Sequence, residues 1–232
     1  MSPELNELKN MEDNNRLSIS MQQTIEYGNL EFVGDLGEIM FDAVLSDGVL
    51  KDIPILGTIV GVTKCIKNVS DVCFAKKLIA FLVPIKDVSN DKRAEAIRNW
   101  ERDKDFRGKV GDTLLGMIER CDDTVKATWL SKLFYELVLK RNLSRLFMRA
   151  EKTLSSLSVM DVQALLNMPK DQFCHLSERD CEPYLGSGLY KNPMISNPVN
   201  GTLDLSNKYC EPTEIGVWIY CVLNSIPVMG GK

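Results

Sequence analysis

The run from Val49 to Ile66, VLKDIPILGTIVGVTKCI, is the most apolar stretch in a chain that is otherwise rich in charge. Ile53 to Val62 is apolar apart from Thr58, and Thr63-Lys64 closes it. That is about ten residues, well short of the ~20 a helix needs to cross a bilayer. A second apolar run, Val72 to Ile85, is split by Lys76 and Lys77. Between the two lies Lys67-Asn68-Val69-Ser70-Asp71, where Ser70 or Asp71 can cap a new helix. The pattern predicts an apolar helical hairpin within 53–85, Pro54 to Lys67 and then Asp71 to Ile85. Pro54 suits a first turn, where its missing N–H costs nothing.

Ile55, Ile59, Val62 and Ile66 share one face at helical spacing, and Gly57 and Gly61 share the other. A glycine inside a helix costs about 1 kcal/mol relative to alanine, so two of them need a reason. Close approach to another helix backbone is such a reason, in a bundle core or in lipid. The expected packing or membrane residues are Gly57, Gly61, Ile59, Val60 and Val62 on the first helix and Phe74, Leu78 and Phe81 on the second.

Working outward, residues 1–28 are polar and rich in Asn, Glu and Ser, and read as a flexible amino-terminal segment, a mobile tail or a weak helix. Phe32 to Leu45 shows a helical pattern ended by Ser46-Asp47-Gly48. Beyond the hairpin, Ser89-Asn90-Asp91 caps a helix reaching about Asp103, with Ala94, Ile97 and Trp100 facing inward. Lys104 to Cys121 sets Phe106, Val110, Leu114, Met117 and Ile118 on one side. Asp122-Asp123 caps Thr124 to Arg141, whose apolar face holds Trp129, Leu130, Leu133, Phe134 and Leu137. A further helix follows from Leu143 to about Ser155. Turns of a few residues between such helices mark antiparallel neighbours, so 29–156 is expected to be a helical bundle.

From 157 to 232 the pattern changes. Ser158-Val159-Met160-Asp161 opens a helix to Asn167, stopped by Met168-Pro169, and a short helix spans about Ser177 to Leu185. Leu189-Tyr190 with Met194-Ile195 reads as a strand, Ser196 to Thr202 as a turn, Leu205 to Cys210 as a returning strand, and EIGVWIYCVL as a last helix. The fold class expected is therefore mainly α, a bundle followed by an α+β module. The segment LGSGLY with VNGTLDLSNKYCEPTEIGVWIY resembles the recognition-helix end, wing and following helix of a winged-helix domain. A winged helix that reads DNA needs Lys or Arg to neutralise phosphates. Here the second helix offers Glu178, Asp180 and Glu182 against Arg179 alone, and the wing SNPVNGTLD holds no basic residue. Repulsion from phosphates wins, so no nucleic acid partner is expected, and the three acids mark a protein-docking face.

No catalytic signature appears. GxGxxG after a strand and GxxxxGK[ST] are both missing, and Gly108, Gly111 and Gly116 do not form a phosphate loop. The single histidine, His175, adjoins Cys174 in a short linker, too close in sequence to serve as its base. Seven cysteines (65, 73, 121, 174, 181, 210, 221) form no CxxC pair, and Cys174-His175 with Cys181 lacks the spacing and the fourth ligand of a metal site. They read as reduced, mostly buried thiols. The amino terminus lacks a basic start before an apolar core, so a secretory signal is not expected. Asp122-Asp123 and Asp103/Asp105 suit helix N-termini. Lys126, Lys132, Lys140, Arg141, Arg145 and Arg149 form a solvated basic face, or one drawn to anionic headgroups. The expectation is a non-enzyme without cofactor or metal, at a net charge of -4.

Residues about 50 to 150, through LKDIPILGTIVG, FAKKLIAFL and DFRGKVGDTLLGMIERCDDTVKATWLSKLF, resemble a group of small bacterial proteins, some of which act in defence against phage. The resemblance implies a membrane-active antiviral effector, cytoplasmic at rest. It would self-associate into an oligomer on a phage or host protein trigger and permeabilise the inner membrane through the hairpin. The alternative is a cytosolic adaptor that binds a protein partner through the acidic module and never meets lipid. Lys76 and Lys77 separate the two: a lysine at the centre of a membrane helix costs about 2.5–3.5 kcal/mol, whereas on a soluble bundle it faces water.

Overall fold

The computed structural model describes residues 3–31, 33, 53–63, 69–103, 106, 108–140, 143–191 and 209–225. The helix expected at Phe32 to Leu45 lies outside them except for Val33, as do the Met194-Ile195 strand and the Ser196 to Thr202 turn. The chain is mainly helical, with a two-stranded sheet, and divides into two compact units, Met1–Ser144 and Arg145–Lys232.

In the first unit the helices are α1 (Pro3–Tyr27), α2 (Pro54–Thr63), α3 (Val69–Leu82), α4 (Asn90–Glu101), α5 (Val110–Arg120) and α6 (Thr124–Leu139). Helix α1 packs on α2, α4 and α5, while α6 packs on α3, α4 and the 3-10 turn Val83–Ile85. The expected inward faces of α4, α5 and α6 are buried: Ala94, Ile97 and Trp100, then Val110, Leu114, Met117 and Ile118, then Trp129, Leu130, Leu133, Phe134 and Leu137. Phe134 lies at the aromatic centre, its ring 5.5 Å from Phe81 and 6.3 Å from Trp100. Asp123 caps α6 as expected, accepting from the Lys126 backbone N–H at 3.0 Å. Lys126 is not part of a solvated face. Its side chain is 2% exposed and its Nζ meets Asp122 at 2.5 Å, one turn back.

Of the two readings of the segment 1–28, the described residues take the helical one. It forms the 25-residue α1, with Met21, Thr24 and Ile25 wholly buried. The inward face is hidden in the sequence because hydroxyls share it with the apolar residues: Ser18, Ser20 and Thr24 are all buried. These hydroxyls have partners. Thr24 Oγ1 donates to Ser20 O on its own helix (2.8 Å) and accepts from the Ile55 N–H (2.9 Å) at the start of α2. Ser20 Oγ and Thr58 Oγ1 are 2.6 Å apart. Helix α5 comes so close to α1 that a Cβ on Gly111 would lie 2.1 Å from Ser18 O, so only glycine fits there.

Helix α4 holds the other end of α1. Asn90 Nδ2 donates to Tyr27 O at 3.3 Å, and the 2%-exposed Arg93 donates through Nη2 to Gly28 O at 2.8 Å. A buried guanidinium thus sits at the negative end of a long helix, which offsets part of its desolvation. Burial alone moves the Arg93 pKa down from the usual arginine range.

The bundle ends before 156. Helix α7 (Ser144–Ser156) falls almost wholly in the second unit, where Phe147, Ala150 and Leu154 are buried and Thr153 Oγ1 donates to Ser187 O at 2.9 Å. After it come α8 (Val159–Asn167), α9 (Lys170–Cys174), β1 (Leu176–Ser177), α10 (Glu178–Leu185), β2 (Tyr209–Cys210) and α11 (Glu214–Leu223). Ser158 caps α8 through the Asp161 N–H, as its sequence indicates. Helix α9 was not expected. Five residues are too few for a periodic signal, and Pro169, read as a stop for α8, is also the residue that opens α9.

The expected pairing of 189–195 with 205–210 lies mostly outside the described residues, and a pairing that was not expected accompanies what is described of it. β2 pairs antiparallel with β1, Leu176 opposite Cys210, and Tyr190 bridges Pro212. The returning strand thus has one partner from before the acidic helix, Leu176-Ser177, and meets Leu189 to Lys191 from after it. Thr213 N–H donates to Leu189 O at 2.8 Å, and Gly216 of α11 comes so close to that carbonyl that a Cβ would lie 2.3 Å from it.

Candidate interaction sites

The hairpin residues divide by burial. Ile59, Leu78 and Phe81 are buried in the first unit, while Gly57 and Phe74 are intermediate. Val60, Gly61 and Val62 belong to α2, but their side chains fall outside the described residues. Phe81 is bound on both its ring and its backbone, against Phe134 and by the Ser131 hydroxyl, which donates to its carbonyl. These positions form the centre of a packed core. Among the described residues no helix is long and apolar enough to cross a membrane.

Lys77, one of the two discriminating lysines, has a specific partner. Its Nζ donates to Glu119 O (2.8 Å), in the last turn of α5, and to Cys121 O (2.9 Å), the residue that follows the helix. A cation at a helix C-terminus satisfies orphan carbonyls and complements the dipole. Lys76 is exposed. Above the hydroxyl pair of Ser20 and Thr58 lies an open groove of about 330 Å³, lined also by Arg16 and Ile19.

In the second unit, α10 separates its two faces sharply. Cys181 and Tyr184 are buried, while Glu178, Arg179, Asp180 and Glu182 are exposed. Ser177 caps the helix: it accepts from the Asp180 N–H at 3.2 Å, and its hydroxyl donates to Asp180 Oδ2 at 2.6 Å. Glu178 and Glu182 make no ion pair among the described residues, so two of the three acids expected to meet a partner present uncommitted carboxylates.

Behind that helix lies a layer of tyrosines and thiols. Tyr184 donates to Asp161 O (3.1 Å), Tyr190 to Phe173 O (2.9 Å) and Tyr220 to Met168 O (2.6 Å). Phe173 stacks on Tyr220 with ring centres 4.0 Å apart. Burial pushes the Tyr190 hydroxyl well up from the usual tyrosine range, and neighbouring thiols and Tyr184 add to the shift. Burial, and then the Asp161 carboxylate, move Tyr184 in the same direction. These hydroxyls stay protonated at neutral pH and act as donors.

The Cys174, His175 and Cys181 cluster considered in the sequence is not assembled. Cys181 is buried, His175 is exposed with its ring edge-on to Tyr209 at 6.5 Å, and no group of metal-ligating residues occurs among the described residues. Sequence reasoning did not single out Cys210 of β2, which is wholly buried as Cys181 of α10 is. Compared with known proteins, the chain matches no family model, no curated protein and no solved structure.

Proposed function

We propose that this chain is a non-enzymatic helical adaptor that binds a basic protein partner through the exposed face of α10. The observation that carries this reading is the placement of Glu178, Asp180 and Glu182 in solvent on a helix fixed from behind by Cys181 and Tyr184. Three carboxylates on two turns repel phosphate and lipid headgroups and attract Lys or Arg. The order α8, α9, β1, α10, β2, α11 supports a winged-helix-like module used for protein docking rather than for DNA.

The second reading is the antiviral effector that oligomerises on a trigger and permeabilises the inner membrane. Its support is α2, ten residues without a charged side chain. It requires the hairpin to leave the core. Exposing Ile55, Leu56, Ile59, Leu78, Phe81 and Leu82 would cost on the order of 10 kcal/mol or more, comparable with the whole stability of a domain, about 5–15 kcal/mol. The trigger would have to unfold the first unit, which is why the adaptor reading ranks first.

Charge reversal separates the two. Full-length protein with Glu178→Lys and Glu182→Lys, Asp180 being kept for its cap, is expected to lose the partner that co-purifies with wild type in its own host. Wild-type capture should weaken as salt rises, and neither protein should release dye from vesicles containing phosphatidylglycerol. Capture that survives charge reversal overturns the adaptor reading, and dye release by wild type favours the membrane reading.

A further inference from the structure

Two cations are buried among the described residues, Lys126 and Arg93. Lys126 has its counter-charge in Asp122, whereas no ion pair among the described residues joins Arg93. Arg93 Nη2 donates to Gly28 O and to Asn90 Oδ1, both uncharged acceptors. Its Nε and Nη1 are enclosed and have no hydrogen-bond partner among the described residues. Two acids of the same pair of helices, Glu26 of α1 and Glu101 of α4, are held by the Gln22 amide instead, at 3.2 and 3.0 Å.

Arginine keeps its charge at any working pH. A guanidinium enclosed without a counter-charge is costly, and neighbouring dipoles offset only a fraction of it. The end of α1 supplies about half a unit of negative charge, and the Asn90 amide supplies no net charge. Protein interiors satisfy such groups almost without exception, so orphaned donors on a buried cation point to an ion that they hold. We propose that Arg93 is the binding site of a small monovalent anion of the chloride class, held through Nε and Nη1, which fastens the end of α1 to α4.

Size and charge select the ion. Arg93 is 2% exposed, so a phosphorylated headgroup, a nucleotide or a peptide acid has no surface by which to reach it. A single positive charge is matched by a single negative one. The ion enters by local opening where the side chains of Asn90 and Arg93 hold the last carbonyls of α1, at Tyr27 and Gly28. A buried pair is screened little by salt. The first unit should therefore respond to which anion is present rather than to ionic strength, because an ion that binds only the folded chain stabilises it by mass action.

The test melts the full chain at fixed ionic strength while sodium gluconate, whose anion is too large for the site, is replaced by sodium chloride. The melting temperature of wild type should rise by a few degrees and level off as chloride increases. Hydrogen exchange should place the added protection at the end of α1 and the start of α4. Arg93→Met, which keeps the length of the side chain and removes its charge, should abolish the response to chloride. If that variant does not fold, wild-type crystals grown with sodium bromide decide alone, and the anomalous signal of bromide should lie against Arg93 Nε or Nη1. The proposal is overturned if wild type melts alike in gluconate and chloride, if Arg93→Met responds as wild type does, or if bromide avoids Arg93.

Discussion

The two units solve the same problem, closing a core around helix ends, with different chemistry. In the first unit apolar faces meet and the polar links run to helix termini: Lys77 to the end of α5, Asn90 and Arg93 to the end of α1, Thr24 to the start of α2. In the second, tyrosine hydroxyls reach across to backbone carbonyls of other segments, at Asp161, Met168 and Phe173. In each unit a glycine stands where backbone meets backbone, Gly111 against Ser18 O and Gly216 against Leu189 O. The difference teaches where each is vulnerable: the first to lost volume, the second to lost donors.

The largest effect is expected from volume. Phe134→Ala removes the ring that joins Phe81 and Trp100, and should destabilise the first unit by about 3–5 kcal/mol in a urea titration. A loss under about 1 kcal/mol would break the comparison at its stronger end.

Next comes Gly111→Ala, whose new methyl would meet a backbone oxygen that cannot step aside. A loss of about 1–3 kcal/mol is expected. The paired control is Gly116→Ala, where the nearest atom is the far end of Arg120, 3.4 Å away. That variant should gain up to about 1 kcal/mol from helix propensity. Equal melting shifts for the two would show that the close approach at Gly111 is not needed.

In the second unit, Tyr190→Phe keeps the ring and strands the Phe173 carbonyl, at about 1–2 kcal/mol. Loss of amide protection confined to residues after 145 is the expected hydrogen-exchange result.

The smallest effect concerns pH. Cys181, Tyr184 and Tyr190 all have folded-state pKa values raised by burial. Their contribution to stability is complete below the unfolded thiol and tyrosine values, and is lost as pH rises beyond about 8.5–10. Melting of the second unit should fall across that range more steeply in wild type than in Cys181→Ala. A first unit that falls equally would blur the distinction.

What could be read beforehand follows the same division. Helices α4 to α6 were legible from their apolar periods, and α6 also from its cap at Asp123, whereas the Ser89 side chain expected to cap α4 makes no cap bond. Helix α1 was not, since Ser18, Ser20 and Thr24 occupy its inward face and make it look polar. The pairing of Leu176 with Cys210 depends on strand register, which two-residue strands do not encode in any period. The hairpin was legible as helices, but its burial in a core was one of two settings the sequence allowed. Lys77 was informative for a reason that sequence could not supply, because its carbonyl partners lie more than forty residues away.

The hydroxyl of Thr24 that receives the Ile55 N–H has a consequence for the order of events during synthesis. A ten-residue helix such as α2 is too short to persist alone in water. Its first turn gains a partner from α1, which leaves the ribosome earlier and is itself long enough to form local turns while it waits. Helix α1 thus serves as the surface on which the most aggregation-prone segment of the nascent chain is received. Translation that starts after Tyr27 should deliver the same apolar hairpin without its receiver, and the product should collect in the insoluble fraction.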